Sequence, residues 1–230
     1  MPTTRPIQDE VKDHYRTLAT QYNARANQAC ERSYRRVVRR VMGGARLLEL
    51  GSGSTDLLDS LGRPVAVACD LSAEMLLMRP GGAGTHRVVA VGERLPFADA
   101  AFDGLFSINV LEHVADLAAV VAESARVLDE GGTFLAITPN GNWESGLDLA
   151  ERWGLKIPEG PHAFLTTRRL AEAARRHFTV VEHRTFLVLP AGPPGLTALV
   201  DRATAASALG WGFFQYLVAR KPRAAAAARP

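Results

Sequence analysis

The chain has 230 residues, 47% of them hydrophobic and 22% charged, with a formal net charge of +3. That length carries one α/β domain with a full core, and the apolar content excludes an intrinsically disordered protein. So small a net charge argues against nucleic acid as a partner unless the basic residues cluster.

Taken in chain order, residues 1–43 are helical in pattern. IQDEVKDHYRTLATQYNARA places Val11, Tyr15, Leu18 and Tyr22 at three- and four-residue intervals, and ERSYRRVVRRVM predicts a second helix that stops at Gly43-Gly44. The N-terminal MPTTRPIQDEVKDHY has no apolar core and so does not read as a signal peptide. Strands and helices then alternate. ARLLELG predicts a strand, STDLLDSLG a helix, PVAVACD a strand and SAEMLLMR a helix that Ser72 can cap. THRVVAVG and AFDGLFSINV are strands, DLAAVVAESARVLDE is a helix and GGTFLAITPN a strand. TTRRLAEAARRHF is a helix, and TVVEHRTFLVL and GFFQYLVARK complete a set of seven strands. Such alternation predicts an α/β fold with a doubly wound, mostly parallel sheet, because parallel neighbours require helical crossovers. Residues 1–222 read as a single domain and the alanine-rich 223–230 as a disordered tail.

Cys30 and Cys69 fit neither a metal nor a redox spacing, so the chain reads as a reduced cytoplasmic protein, with a disulfide as the alternative. Residues 203–219 are uncharged but glycine-interrupted and short of the roughly 20 residues a membrane span needs. They read as a helix end, a turn and a strand.

A loop after the first strand of such a sheet lies at the carboxyl edge, where ligands bind. In RLLELGSGSTDLL that loop carries Gly51 and Gly53, with Glu49 just before them. A dinucleotide fingerprint needs a small residue where Asp56 stands, and a P-loop needs a Gly-Lys-Ser/Thr ending that is missing here. A carboxylate repels a pyrophosphate, so Glu49 suits a ligand with a positive group. Asp70 ends the second strand, where a carboxylate can accept bonds from both hydroxyls of a ribose; capping of the next helix is the plainer role. These residues point to a cationic, nucleoside-bearing cofactor.

LLELGSGST, VACDLSAEML, ERLPFADAAFDGLFSINVLEHV and ARVLDEGGTFLAITPN resemble, in order and spacing, the motifs of class I S-adenosylmethionine-dependent methyltransferases. The likeness is to the small-molecule branch that includes the quinone-biosynthesis enzymes. It implies a Rossmann-like methyltransferase fold with the last strand antiparallel and extra N-terminal helices. It also implies S-adenosyl-L-methionine as cofactor and S-adenosyl-L-homocysteine as product. Residues 45–140 would be the cofactor-binding core, 1–43 a helical lid, and 140–166 and 186–210 the segments that cover the substrate.

By that resemblance Glu49, Gly51 and Gly53 line the methionine end, Asp70 holds the ribose, and Leu71 and Met75 flank the adenine. Family members often carry Asp or Asn where Val91 stands, which leaves the adenine amino group to Glu93 or to backbone at Gly92 and Glu93. Asn109 faces the amino-acid moiety or the substrate, and Tyr15 belongs to a lid that excludes water and lays an aromatic face on a sulfonium. Methyl transfer needs a base only when the nucleophile arrives protonated; His162 in EGPHAF and His113 in VLEHV are the candidates, and His113 also reads as a pocket wall. His177 and His183 read as surface residues.

The arginines of RSYRRVVRR read as a solvated helix face, with an anionic substrate as the alternative. Trp143, Trp153, Phe164 and Phe186 suggest an aromatic or lipophilic small-molecule acceptor, with plain packing as the competing explanation. The expected function is methyl transfer to such an acceptor, without metal, by a monomer or homodimer. The alternatives are a non-catalytic cofactor-binding subunit and a tRNA or protein methyltransferase.

Overall fold

A computed structural model describes residues 28–80, 84–143, 163–186 and 212–223, together with positions 10, 195 and 199. Helix α1 (Gln28–Val41) has Glu31 in its first turn and Arg39 and Arg40 in its last, which suits the helix dipole at both ends. Strand β1 (Arg46–Leu50) is buried over its last four residues, as a strand covered on both faces must be. β2 (Val65–Asp70) and the short α2 (Ala73–Leu77) follow. Ser72 caps α2, its Oγ accepting from the Met75 N–H at 3.2 Å. β3 (Thr85–Val89) and β4 (Phe102–Ile108) lead to α3 (Leu117–Val127), which Asp116 caps through the amides of Ala118 and Ala119. β5 (Leu128–Pro139), α4 (Thr167–Arg175), β6 (Thr179–Phe186) and β7 (Phe214–Arg220) complete the order.

The seven strands form one sheet in the order β3-β2-β1-β4-β5-β7-β6. β1 to β5 are parallel; β7 runs antiparallel to both β5 and β6, so β6 shares the direction of the first five. The expected sheet, with its last strand reversed, is what forms. Pro139 and Phe186 both register with Phe214, so the start of β7 lies at the carboxyl edge of its neighbours. That edge therefore gathers the ends of β1, β2, β4, β5 and β6.

Apolar side chains fill both faces of the sheet. On one, Leu48, Leu50, Leu105 and Phe134 pack with Val121 of α3 and Leu170 of α4, and Phe134 stacks on Phe178 at 5.0 Å. On the other, Leu47, Phe106, Leu135 and Ile137 meet Val37 and Val38 of α1 and the pair Leu57 and Leu58.

Two local readings differ. The helix predicted over STDLLDSLG is a loop closed by a single 3-10 turn (Asp59–Leu61), which Gly62 ends in a left-handed conformation. Leu57 and Leu58 are both buried, and the Ser60 hydroxyl donates to the Leu57 carbonyl at 2.7 Å, so local polar bonds outcompete a helical ladder. His183, read as a surface residue, is half-buried with Nε2 2.9 Å from Gln215 Oε1. The N-terminal part of the lid, most of 140–166 and 186–210, and the tail beyond residue 223 lie outside the described residues.

Candidate active site

The glycine loop is held against β2 by the amides of Gly51 and Ser52, which donate to the Cys69 carbonyl at 2.8 and 3.0 Å. Gly51 has φ 71°, and a Cβ there would stand 2.0 Å from Cγ2 of Val110, just beyond β4. The loop therefore passes closer to the end of β4 than any side chain allows. Gly53 has φ 53°, and its Cβ would meet Cε of the buried Met75 at 3.3 Å.

Asp70 is locked in place by two backbone amides. Gly53 N–H donates to Oδ2 at 2.8 Å and Ser72 N–H to Oδ1 at 2.9 Å. A carboxylate oxygen accepts more than one bond, so both oxygens keep capacity for a ligand. Burial raises the Asp70 carboxyl above its usual range, and the amides of Ser72 and Gly53 pull it back. Leu71, next to it, is half-buried.

Glu49 is 3% exposed and is not alone. Arg79, itself 4% exposed, donates from Nη1 to Glu49 Oε2 at 3.2 Å and from Nη2 to Asp59 Oδ2 at 2.7 Å. Thr85 Oγ1 donates to the other Asp59 oxygen at 2.6 Å. Burial pushes the Glu49 carboxyl well above the usual carboxylate range while Arg79 opposes it. Glu49 and Asp59 thus share one guanidinium with Asp70 nearby, and the cluster carries an excess of negative charge when all are ionised. Sequence reasoning missed Arg79 because its partner lies 30 positions away.

Asn109, just past β4, takes a left-handed φ of 53°, uncommon outside glycine. Its N–H donates to the Ile137 carbonyl at 2.9 Å and its Nδ2 to Tyr34 Oη at 3.3 Å. Its Oδ1 is buried with no hydrogen-bond partner among the described residues, and so is Ser52 Oγ in the glycine loop. Buried acceptors are rarely left unpaired in the absence of a ligand or water to satisfy them. Tyr34 meets Phe214 and Phe186 edge-on, with centroids at 5.2 and 6.2 Å, and these rings cluster with Phe213 and Cys30.

Glu93 Oε1 accepts from Ala115 N–H at 3.1 Å and Asp116 N–H at 3.4 Å, which ties the loop after β3, Gly92 included, to the start of α3. His113 is 7% exposed on the loop after β4, with its N–H on the Val110 carbonyl at 2.8 Å. Tyr15, Tyr22, His162 and Trp153 lie outside the described residues. Phe164 is buried, and its segment is stapled to the edge by Ala163 N–H on the Glu112 carbonyl (2.7 Å) and by Gln215 Nε2 on the Leu165 carbonyl. Gln215 and the fully buried Asn140, whose Nδ2 donates to the Gly212 carbonyl at 2.9 Å, were not singled out from sequence. Their signal was a polar residue at the end of an apolar strand.

Residues 48–136 match the family model described as a methyltransferase domain. The likeness is thus to a methyltransferase domain, over the part of the chain that carries Glu49, Gly51, Gly53 and Asp70. The ubiquinone biosynthesis O-methyltransferase of Xylella fastidiosa is 31% identical over 144 residues, covering 58% of each chain. The malonyl-[acyl-carrier protein] O-methyltransferase of Serratia marcescens is 36% identical over 149 residues, covering 62% of this chain and 57% of its own. The matches thus span less than two thirds of the length of these curated relatives. A SAM-dependent methyltransferase of Thermotoga maritima superposes with a TM-score of 0.69 at 17% identity, over 92% of this chain and 99% of its own. At that identity the likeness is one of fold. Among the described residues, no helix is long and apolar enough to cross a membrane.

Proposed function

We propose that the chain transfers a methyl group from S-adenosylmethionine to a small-molecule acceptor, aromatic or lipophilic in character. The observation that carries the reading is Asp70, pinned between the Gly53 and Ser72 amides with bonding capacity to spare, beside a loop whose Gly51 admits no side chain. The excess of carboxylates around Arg79 favours a ligand with a positive group and disfavours a pyrophosphate, which sets nicotinamide dinucleotides aside. Relatives named for small-molecule and acyl-carrier O-methylation support the acceptor class.

In this reading Glu49, Gly51 and Gly53 hold the methionine end, Asp70 the ribose, Leu71 and Met75 the adenine faces, and Gly92 and Glu93 the adenine edge. The bound cofactor supplies a methyl carbon already activated by a sulfonium. The chain's own work is then mainly alignment, with the entropy of bringing the two reactants together lost on binding rather than at the barrier. Asn109 Oδ1, buried and without a hydrogen-bond partner among the described residues, would orient the amino-acid end or the acceptor. The rings of Tyr34, Phe186 and Phe214 offer an apolar wall along the same edge. Tyr15 would close over the site. A protonated nucleophile would give its proton to His162, or to His113 on the loop after β4. Neither cysteine is in a disulfide, in keeping with work in a reducing cytoplasm, as a monomer or homodimer.

Calorimetric titration with S-adenosylmethionine, S-adenosylhomocysteine and NAD tests the cofactor. Micromolar binding of the first two without NAD is expected, followed by methyl transfer to a panel of phenolic and quinol acceptors. Binding of NAD alone would refute the reading, and cofactor binding without turnover on any acceptor would leave a binding subunit.

A further inference from the structure

Helix α2 inverts the usual pattern at its end: Leu77 and Met78 are 75% and 39% exposed, while the next residue, Arg79, is buried. A charge turned inward where apolar residues face out breaks a local folding rule, and such breaks concentrate at functional sites. We propose that Arg79 is a positioning residue for cofactor binding, one that holds the Glu49 carboxyl group in place at the root of the glycine loop and favours its charged form. The inference rests on the cofactor reading above and assigns to it a residue that touches no cofactor itself.

Arg79 is anchored from several sides. Its guanidinium bridges Glu49 at 3.2 Å and Asp59 at 2.7 Å, and Thr85 holds the far oxygen of Asp59. Its own N–H donates to the Leu76 carbonyl at 3.3 Å, and its carbonyl accepts from Arg87 Nη2 at 3.3 Å. A side chain held in this way is a permanent counter-ion and not a plug that swings aside for a ligand.

The charges around Glu49 explain why it needs one. Burial above all, and then Asp59 on the 3-10 turn and Asp70 at the end of β2, favour its protonation, and Arg79 opposes them. Asp56, farther along the loop, is matched by Arg35 of α1. A buried carboxylate deprived of its cation takes up a proton in preference to staying charged. Without Arg79 the acid would stay neutral to still higher pH at the place where the cofactor's positive end needs an anion.

The test is calorimetric titration of the full chain with S-adenosylhomocysteine, whose ammonium group it shares with S-adenosylmethionine, between about pH 6 and pH 9. In wild type, affinity rises with pH to a plateau as Glu49 ionises. In Arg79→Met the midpoint moves up by about one unit or more, and affinity at pH 7 falls by about tenfold or more. Arg79→Lys, which keeps the charge, stays near the wild-type midpoint, and in a Glu49→Gln background Arg79→Met produces no further shift. Should Arg79→Met fail to fold, Arg79→Gln carries the same comparison. An unmoved midpoint in a wild type that binds would overturn the role of Arg79 alone. Tighter binding by Arg79→Met would overturn it too, making Arg79 a competitor for Glu49. A folded wild type that binds neither cofactor form would overturn the cofactor reading, and this inference with it.

Discussion

Gly51→Ala is the substitution whose cost the structure fixes most closely. The new Cβ would lie 2.0 Å from Cγ2 of Val110, and rotating that side chain does not help, because Cγ1 and Cβ already stand at 3.0 and 3.1 Å. Two penalties add: about 1–2 kcal/mol for a side chain at positive φ and about 1–3 kcal/mol for crowding a packed contact. The sum of about 2–5 kcal/mol is a large share of the roughly 5–15 kcal/mol that holds a typical domain together. For a chain of this size it corresponds to a fall in Tm of roughly 4–20 °C. Gly62 supplies the control, since its φ is 59° but nothing lies within 4 Å of its Cβ. Gly62→Ala should therefore show only the backbone penalty of about 1–2 kcal/mol. Urea unfolding of both variants, and of Gly51→Ala combined with Val110→Ala, separates the two contributions. The double variant should recover about 1–3 kcal/mol as a favourable coupling. Equal costs at Gly51 and Gly62, or strict additivity with Val110→Ala, would refute the close approach of the glycine loop to the end of β4.

Other expectations follow from single contacts. Asp70→Ala should weaken S-adenosylhomocysteine binding by about 10- to 100-fold while circular dichroism keeps the native fold, since a charged hydrogen-bond acceptor is worth about 1.5–3 kcal/mol. Tyr34→Phe removes the hydroxyl that accepts from Asn109 but keeps the ring against Phe214, so chemical denaturation should register only about 0.5–1.5 kcal/mol. Burial holds His183 below its usual range, so the unfolded chain binds the extra proton and stability declines as pH falls from about 6.5 through the folded value. His183→Gln should flatten that acid limb in melts recorded at falling pH.

The seven strands were legible because each is a compact apolar run between glycines and polar turns, and the cap at Ser72 was visible as a hydroxyl placed just before a helical pattern. Gly51, Gly53 and Asp70 could be found because they sit at strand ends, where topology alone decides what is near what. Arg79 could not. In the sequence it closes an ordinary amphipathic segment, and only the packing of α2 against β2 and β3 turns it onto Glu49. STDLLDSLG misled for a related reason: Asp59 and Ser60 form bonds outside any helix, to Arg79 and to the Leu57 carbonyl, and these are invisible until the chain has folded. Asn109 and Glu93 show an intermediate case, legible as candidates by position, with partners that only the three-dimensional arrangement supplies.

The insertion of β7 between β5 and β6 sets the order in which the molecule can be completed. Among the described residues β6 has no strand neighbour other than β7, so Thr179–Phe186 must wait as an unpaired ribbon until residues 214–220 have emerged from the ribosome. Until then the edge of β5 is open as well, and with it the seat of Asn140 and Gln215. The first five strands can assemble as the chain is made, but the far third of the sheet closes only once residues 214–220 are available. A nascent chain of this kind exposes two sticky edges during that interval, which makes it a natural client for chaperones and a poor candidate for C-terminal truncation.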